Sequence, residues 1–195
     1  MHEPADSGRI GEGRYMPVVI AMLRGINVSG HKPVKMEALR KSFEVLGFKH
    51  VRTYVQSGNV VFEAGKEVAT DLEGRIEKMI RKDFGYEVPV LVRTAKEMEQ
   101  VLQGNPLAGV EGIDETRLHV TFLADKALKS AARDLEALVT KPEQIRVSGR
   151  EIYLYCPNGY GTSKISNTAI EKKLGVGATT RNWRSVNALV EMSRE

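Results

Sequence analysis

Residues 18–62 read VVIAMLRGINVSGHKPVKMEALRKSFEVLGFKHVRTYVQSGNVVF and decide the fold. The β-branched apolar run Val18–Leu23 predicts a buried strand that opens at about Met16. A polar loop with two glycines, Arg24 to Lys32, interrupts it. Met36, Leu39, Phe43 and Leu46 then recur at helical spacing, with Pro33 ahead of them and Gly47 behind, so a helix spans Lys35–Leu46. Val51–Gln56 and Val60–Glu63 read as strands joined through Ser57-Gly58-Asn59, a tight hairpin in which positive φ is cheap for Gly58 and Asn59.

The same order continues outward. A helix over 67–84 carries Leu72, Ile76, Met79 and Ile80 on one face, with Thr70 and Glu73 spaced as a capping box and Gly85 as its stop. Val88–Arg93 is a strand, and Thr94 with Glu97 caps a short helix, Ala95–Leu102. Leu118–Leu123 then restarts the series. Asp125 is expected to cap a helix with Leu128, Ala132, Leu135 and Val139 inward. Gln144–Val147 and Glu151–Cys156 flank the turn Ser148-Gly149-Arg150. Ser166 caps a helix bearing Ile170 and Leu174, with Ile165 and Ile170 placed as a hydrophobic staple. Ala178–Arg181 is a short strand, and Asn182 caps a last helix through Trp183, Val186 and Val190. Arg93-Thr94 and Thr180-Arg181 precede the two closing helices.

The chain is therefore read as α+β: two tandem ferredoxin-like β-α-β-β-α-β units, each followed by a helix. The first unit spans 16–105 and the second 117–195. The glycine- and acid-rich stretch 106–116 is the linker, and residues 1–15 form a polar tail expected to be disordered.

The strings LRGINV, QSGN and TTRNW, within a likeness running from about Met16 to Met192, resemble the bacterial family of domain of unknown function (DUF) 1697. That resemblance implies paired ferredoxin-like halves and a natural start near Met16. It implies no activity, cofactor or catalytic residue.

No apolar run approaches the ~20 residues of a membrane helix, the first residues lack a signal-peptide core, and Cys156 stands alone. A cytoplasmic protein with no membrane partner is the expectation. The four histidines show no metal-ligand spacing, and no cofactor fingerprint occurs. Cys156 reads as a small core residue. Residues 16–63 carry net +4 and 158–195 net +3, around a middle of −2, which suits anionic partners.

In a ferredoxin-like unit the loop after the first strand and the turn after the second leave the sheet at one end. Arg24, Asn27, Ser29 and Lys32 should then meet Gln56, Ser57 and Asn59 beside a helix N-terminus, a constellation suited to a phosphate. A binding module for a phosphate-bearing ligand, with nucleic acid as one form, is the leading reading. An enzyme acting on a small anionic or nucleotide substrate at the same loop is one alternative. A structural or assembly role, with these side chains serving the fold, is the other. Tyr160 and Lys164 in the loop NGYGTSK are secondary candidates. Tyr153, Tyr155 and Phe122 offer a weak match to an RNA-stacking sheet.

Overall fold

The computed structural model describes residues 16–28, 30–65 and 71–195. The first unit comprises β1 (Val18–Leu23), α1 (Met36–Val45), β2 (Lys49–Tyr54), β3 (Asn59–Glu63), α2 (Leu72–Phe84), β4 (Val90–Thr94) and α3 (Ala95–Gln103). The second comprises β5 (Leu118–Leu123), α4 (Lys129–Glu136), β6 (Gln144–Ser148), β7 (Glu151–Tyr155), α5 (Asn167–Leu174), β8 (Ala178–Asn182) and α6 (Trp183–Arg194). Short 3-10 turns at Glu115–Arg117 and Tyr160–Thr162 complete the chain. The sheets run β2-β3-β1-β4 and β6-β7-β5-β8, and every paired neighbour is antiparallel. The fold is thus two ferredoxin-like units in tandem, each closed by a helix.

Alternation along β1 sends its side chains to two different cores. Val19, Ala21 and Leu23 join Leu39 and Phe43 of α1 and Ile76 and Ile80 of α2 on one face. Phe43, Phe48 and Phe62 anchor that layer, with ring centroids 4.4–5.7 Å apart. Ile20 and Met22 face a central core shared with Val120, Phe122 and Tyr153 of the second sheet, Met98 and Val101 of α3, and Trp183, Val186 and Leu189 of α6. The far face of the second sheet packs Leu123, Ile152 and Leu154 against Leu135, Ile170 and Leu174. Tyr153 donates its hydroxyl to the Val101 carbonyl at 3.2 Å inside the central core, and burial raises its pKa to about 12. With Phe122 fully buried in the same layer, these two rings are packing groups and not a stacking platform. Leu107, Ala108 and Ile113 between the units also pack into the central core.

Several local expectations shift. The helix expected after Asp125 starts at Lys129, with Leu128 at the N-cap position and no side-chain cap. Leu135 and Val139 face the core as expected, Ala131 rather than Ala132 packs beside them, and Leu128 is 74% exposed. The later start leaves Leu135 and Val139 on the expected inward side and puts Leu128 ahead of the first turn, off the packed face. In the first hairpin the positive φ values fall on Val55 and Gly58, and Asn59 is the first, fully buried residue of β3. A Cβ at Gly58 would lie 2.8 Å from both Ile26 Cδ1 and Leu23 Cβ, so contact as well as φ demands glycine there. The capping pair proposed at Thr70 and Glu73 involves a residue outside the described ones, as does the tail 1–15. The caps at Thr94, Ser166 and Asn182 form as expected.

The units are joined by two buried arginines on equivalent strands. Arg93 of β4 sits opposite Ile20, and Arg181 of β8 opposite Val120. Arg181 reaches into the first unit, donating to Leu23 O at 2.8 Å, Ser57 O at 3.2 Å and Asn59 Oδ1 at 2.5 Å. It also donates to Thr179 Oγ1 and Thr180 O, each at 2.9 Å, so all five guanidinium N–H groups have acceptors. Arg93 reaches the other way, to Leu123 O at 2.8 Å, Arg150 O at 3.4 Å and Glu151 Oε1 at 3.2 Å. Arg93 thus meets a carboxylate, whereas Arg181 meets only neutral acceptors. Burial lowers the Arg181 pKa to about 10.

Removing Arg181 would orphan Leu23 O, Ser57 O and Asn59 in the junction. Arg181→Ala should therefore cost about 3–5 kcal/mol of unfolding free energy in a urea titration. Arg181→Lys should recover little, because an ammonium lacks the planar fork that spans these acceptors. A loss under ~1 kcal/mol in both variants would show that the clamp is not what holds the units.

Candidate functional site

The loop after β1 and the turn after β2 meet at one end of the first sheet. Asn27, with φ of 55°, is the centre of that meeting. Its amide nitrogen donates to Gln56 O and Val34 O, both at 2.9 Å, and its oxygen accepts from Val34 N at 2.8 Å. Asn27 therefore ties the loop to both the turn and the entry of α1, satisfying backbone groups that would otherwise be orphaned.

The other residues expected at this site divide by partner. Arg24 forms an ion pair with Glu171 of α5, across the junction of the units. Glu171 also accepts from Ala178 N at 2.9 Å, holding the edge of β8. Lys32 donates to Glu87 O at 2.5 Å. Asn59 accepts from Arg181 and donates to Ser57 Oγ at 2.9 Å. Arg24, Asn27, Lys32, Ser57 and Asn59 thus all have partners within the chain. Gln56 is exposed. Ser29 lies outside the described residues.

What the sequence reading missed is the element that completes the site. The first turn of α6 lies against the loop and the turn. Together they enclose an open hollow of about 510 Å³, lined by Ile26, Asn27, Val28, Tyr54, Val55, Gln56 and Ser57 on one side and by Asn182, Arg184 and Ser185 on the other. Asn182 Oδ1 accepts from Ser185 N at 2.8 Å, capping the helix. Arg184 is exposed and has no ion-pair partner among the described residues. Ser185 is only 7% exposed, and its hydroxyl, on the wall of the hollow, has no hydrogen-bond partner among the described residues without being a buried orphan. The available signal was the string NWRS, in which a capped helix start carries an arginine and a serine in its first turn.

Charge separates this hollow from its neighbours. Glu77 and Glu87 line the one beside α2, Glu136 and Glu143 the one beside β6, Glu97 and Glu151 the one beside α3, and Glu44, Glu63 and Glu195 the one beside β2. Of these five, the hollow at α6 alone has a cation and no carboxylate in its lining. The positive end of α6 adds to that field. The lining contributes hydroxyls and amides but no histidine, cysteine or carboxylate, so it offers recognition groups and no general base.

The secondary candidates are placed elsewhere. The Tyr160 hydroxyl donates to Thr180 Oγ1 at 3.0 Å, and that oxygen also meets Asn167 and Thr121. The ring stacks on His119 with centroids 5.1 Å apart. Lys164 is exposed, away from the hollow. Burial pushes the Cys156 thiol up to about 11, which fits an unreactive core residue. Among the described residues no cluster of His, Cys, Asp and Glu could hold a metal ion.

Two measurements follow from these contacts. Arg24→Ala should lower stability by about 0.5–1 kcal/mol, as befits a partly buried ion pair still in contact with solvent. A chemical denaturation curve reads it. For His119, desolvation holds the folded pKa below its ordinary value, outweighing the opposing hydrogen bond to the Arg117 carbonyl. The unfolded chain then binds the proton more tightly, so the contribution is complete above about pH 6.5 and is lost as pH falls. The stability slope between pH 7 and 5 should be shallower in His119→Phe than in the native protein. Equal slopes would remove His119 from the pH response.

Among the described residues no helix is long and apolar enough to cross a membrane. The chain is similar to a solved structure described as that of conserved bacterial protein SP0830 from Streptococcus pneumoniae. The match has a TM-score of 0.73 at 20% identity, covering 93% of this chain and all of the other. At that identity the likeness speaks for the fold. No curated protein matches the chain. The family described as "Protein of unknown function (DUF1697)" matches residues 16–153, from the lead-in to β1 into β7, and the chain belongs to that family.

Proposed function

We propose that the protein binds a small phosphate-bearing ligand in the hollow between the 26–28 loop, the 55–57 turn and the first turn of α6. The observation that carries this reading is the lining: an exposed Arg184 and an unpartnered Ser185 hydroxyl at a helix N-terminus, with no carboxylate beside them. An arginine supplies a charge-assisted fork for phosphate oxygens, and the hydroxyl and Gln56 amide supply neutral donors. Val28 and Val55, 57% and 53% exposed, form an apolar shelf at the opposite side, suited to the non-phosphate part of a ligand. The volume lies in the range that encloses a small molecule.

This reading keeps the Gln56–Asn59 turn and the loop as the scaffold of the site and moves the cationic role from Arg24 and Lys32 to Arg184. With Arg24 and Lys32 engaged inside the chain, the free charge at the hollow is compact. That favours a small ligand over a nucleic-acid strand, whose affinity rests on many phosphate contacts.

The test is an amide-resolved NMR titration with inorganic phosphate, adenosine monophosphate and a short single-stranded RNA. Shifts should cluster at 26–28, 55–57 and 182–186, and weaken as salt is raised. Arg184→Ala should cut affinity by about 10–100-fold, the equivalent of one charge-assisted contact. Shifts that map elsewhere, or that persist unchanged in Arg184→Ala, would overturn the proposal. Tighter binding of RNA than of the mononucleotide would favour a strand.

A further inference from the structure

The structure carries two equivalent hollows, each between the hairpin turn of one unit and the closing helix of the other. Leu23 N donates to Gly58 O at 2.8 Å, and Leu123 N donates to Arg150 O at 2.8 Å, which aligns the two hairpin turns. Thr94 caps α3 by accepting from Glu97 N at 3.2 Å, and Asn182 caps α6 by accepting from Ser185 N at 2.8 Å. Glu97 and Ser185 therefore hold the same position on their helices. The hollow at α6 is lined by Ser185, while the twin at α3, about 380 Å³, is lined by Glu97, Lys126, Gly149 and Arg150.

From this alignment we infer that Glu97 is an internal anion, filling in the second hollow the place that the ligand's phosphate takes in the first. The inference rests on the binding reading proposed above. The Glu97 carboxylate accepts from Thr94 N at 2.8 Å and from Thr94 Oγ1 at 3.0 Å, and it pairs with Arg150. One group thus bridges a helix N-terminus and an arginine. At α6 the helix end is present, Gly58 stands in the turn where Arg150 does, and the arginine comes instead from the helix, as Arg184; the bridging anion is missing from the described residues. The nine-tenths-buried Ser185, with its hydroxyl unpartnered, stands where Glu97 stands. The ligand's anionic group accordingly sits over the first turn of α6, between the backbone N–H groups there and the Arg184 guanidinium. It enters as an oxyanion with acceptors facing two directions.

The experiment exchanges the two positions and uses inorganic phosphate as the probe, read by amide NMR with a thermal melt of each variant. In the native protein, phosphate should shift amides around 182–186 and leave 94–98 unmoved. Ser185→Glu should erase the shifts at α6 while the melting temperature holds or rises, because a capping box is completed with a neighbouring arginine. Glu97→Ser should add a second set of shifts at 94–98 and 148–150, and Glu97→Gln, which keeps the side-chain volume without the charge, should add a weaker one. Undiminished phosphate binding at α6 in Ser185→Glu, or no second set in either folded Glu97 variant, overturns the inference while leaving the binding reading intact. No shift at either hollow in the native protein overturns both.

Discussion

A guanidinium sealed inside a protein must find an acceptor for each of its N–H groups, and Arg181 finds five. Three of them belong to the other unit: the last carbonyl of β1, a carbonyl of the hairpin turn and the side chain of Asn59. Arg93 makes the reverse reach to Leu123, Arg150 and Glu151. Because each arginine is anchored on the closing strand of its own unit, neither can be satisfied unless the two sheets meet in one register. A hydrophobic interface alone tolerates sliding. This pair of polar locks does not, because an orphaned buried charge is among the costliest defects a fold can carry.

That constraint explains why the most polar stretches of the chain are not the most available for ligands. Asn59 and Ser57 receive Arg181, Asn27 closes the loop onto the turn, and Arg24 holds Glu171 across the junction. These side chains build a rigid rim. Rigidity is what allows an adjacent surface to be a site, since groups held by packing and internal hydrogen bonds need no ordering when a ligand arrives. The helix α6 closes the second unit yet packs on β1, β2 and β3 of the first. It therefore delivers Arg184 and Ser185 to a rim built by residues more than a hundred positions earlier in the chain.

Two units of the same element order need not keep the same chemistry. Position for position, Asn59 answers to Glu151 and Ser185 to Glu97, so the second unit's turn end is carboxylate-rich where the first is neutral. At the α3 end, carboxylates neutralise Arg93 and Arg150. At the α6 end, Arg181 is met by dipoles and Arg184 by solvent, so the positive charge there is left uncompensated by the chain.

The sequence by itself determined the elements, their order and the tandem repetition. Apolar periodicity, caps at Thr94, Ser166 and Asn182, and glycines after helices are local properties, set by groups a few residues apart. It also placed the 24–32 loop beside the 56–59 turn, because a β-α-β-β order fixes which strand ends coincide. Where local signals compete, it failed: Asp125 resembles a cap, but the helix begins at Lys129, which leaves Leu128 outside the packed face while Leu135 still reaches the core. Only the tertiary structure decided what the polar residues do. Arg93-Thr94 repeats as Arg181-Asn182, one position from the register suggested by Thr180-Arg181, and nothing local marks those arginines as buried. Their partners, like the hollow between the first hairpin and α6, arise from contacts across more than a hundred residues, where hydrogen bonding and burial depend on how the two sheets meet.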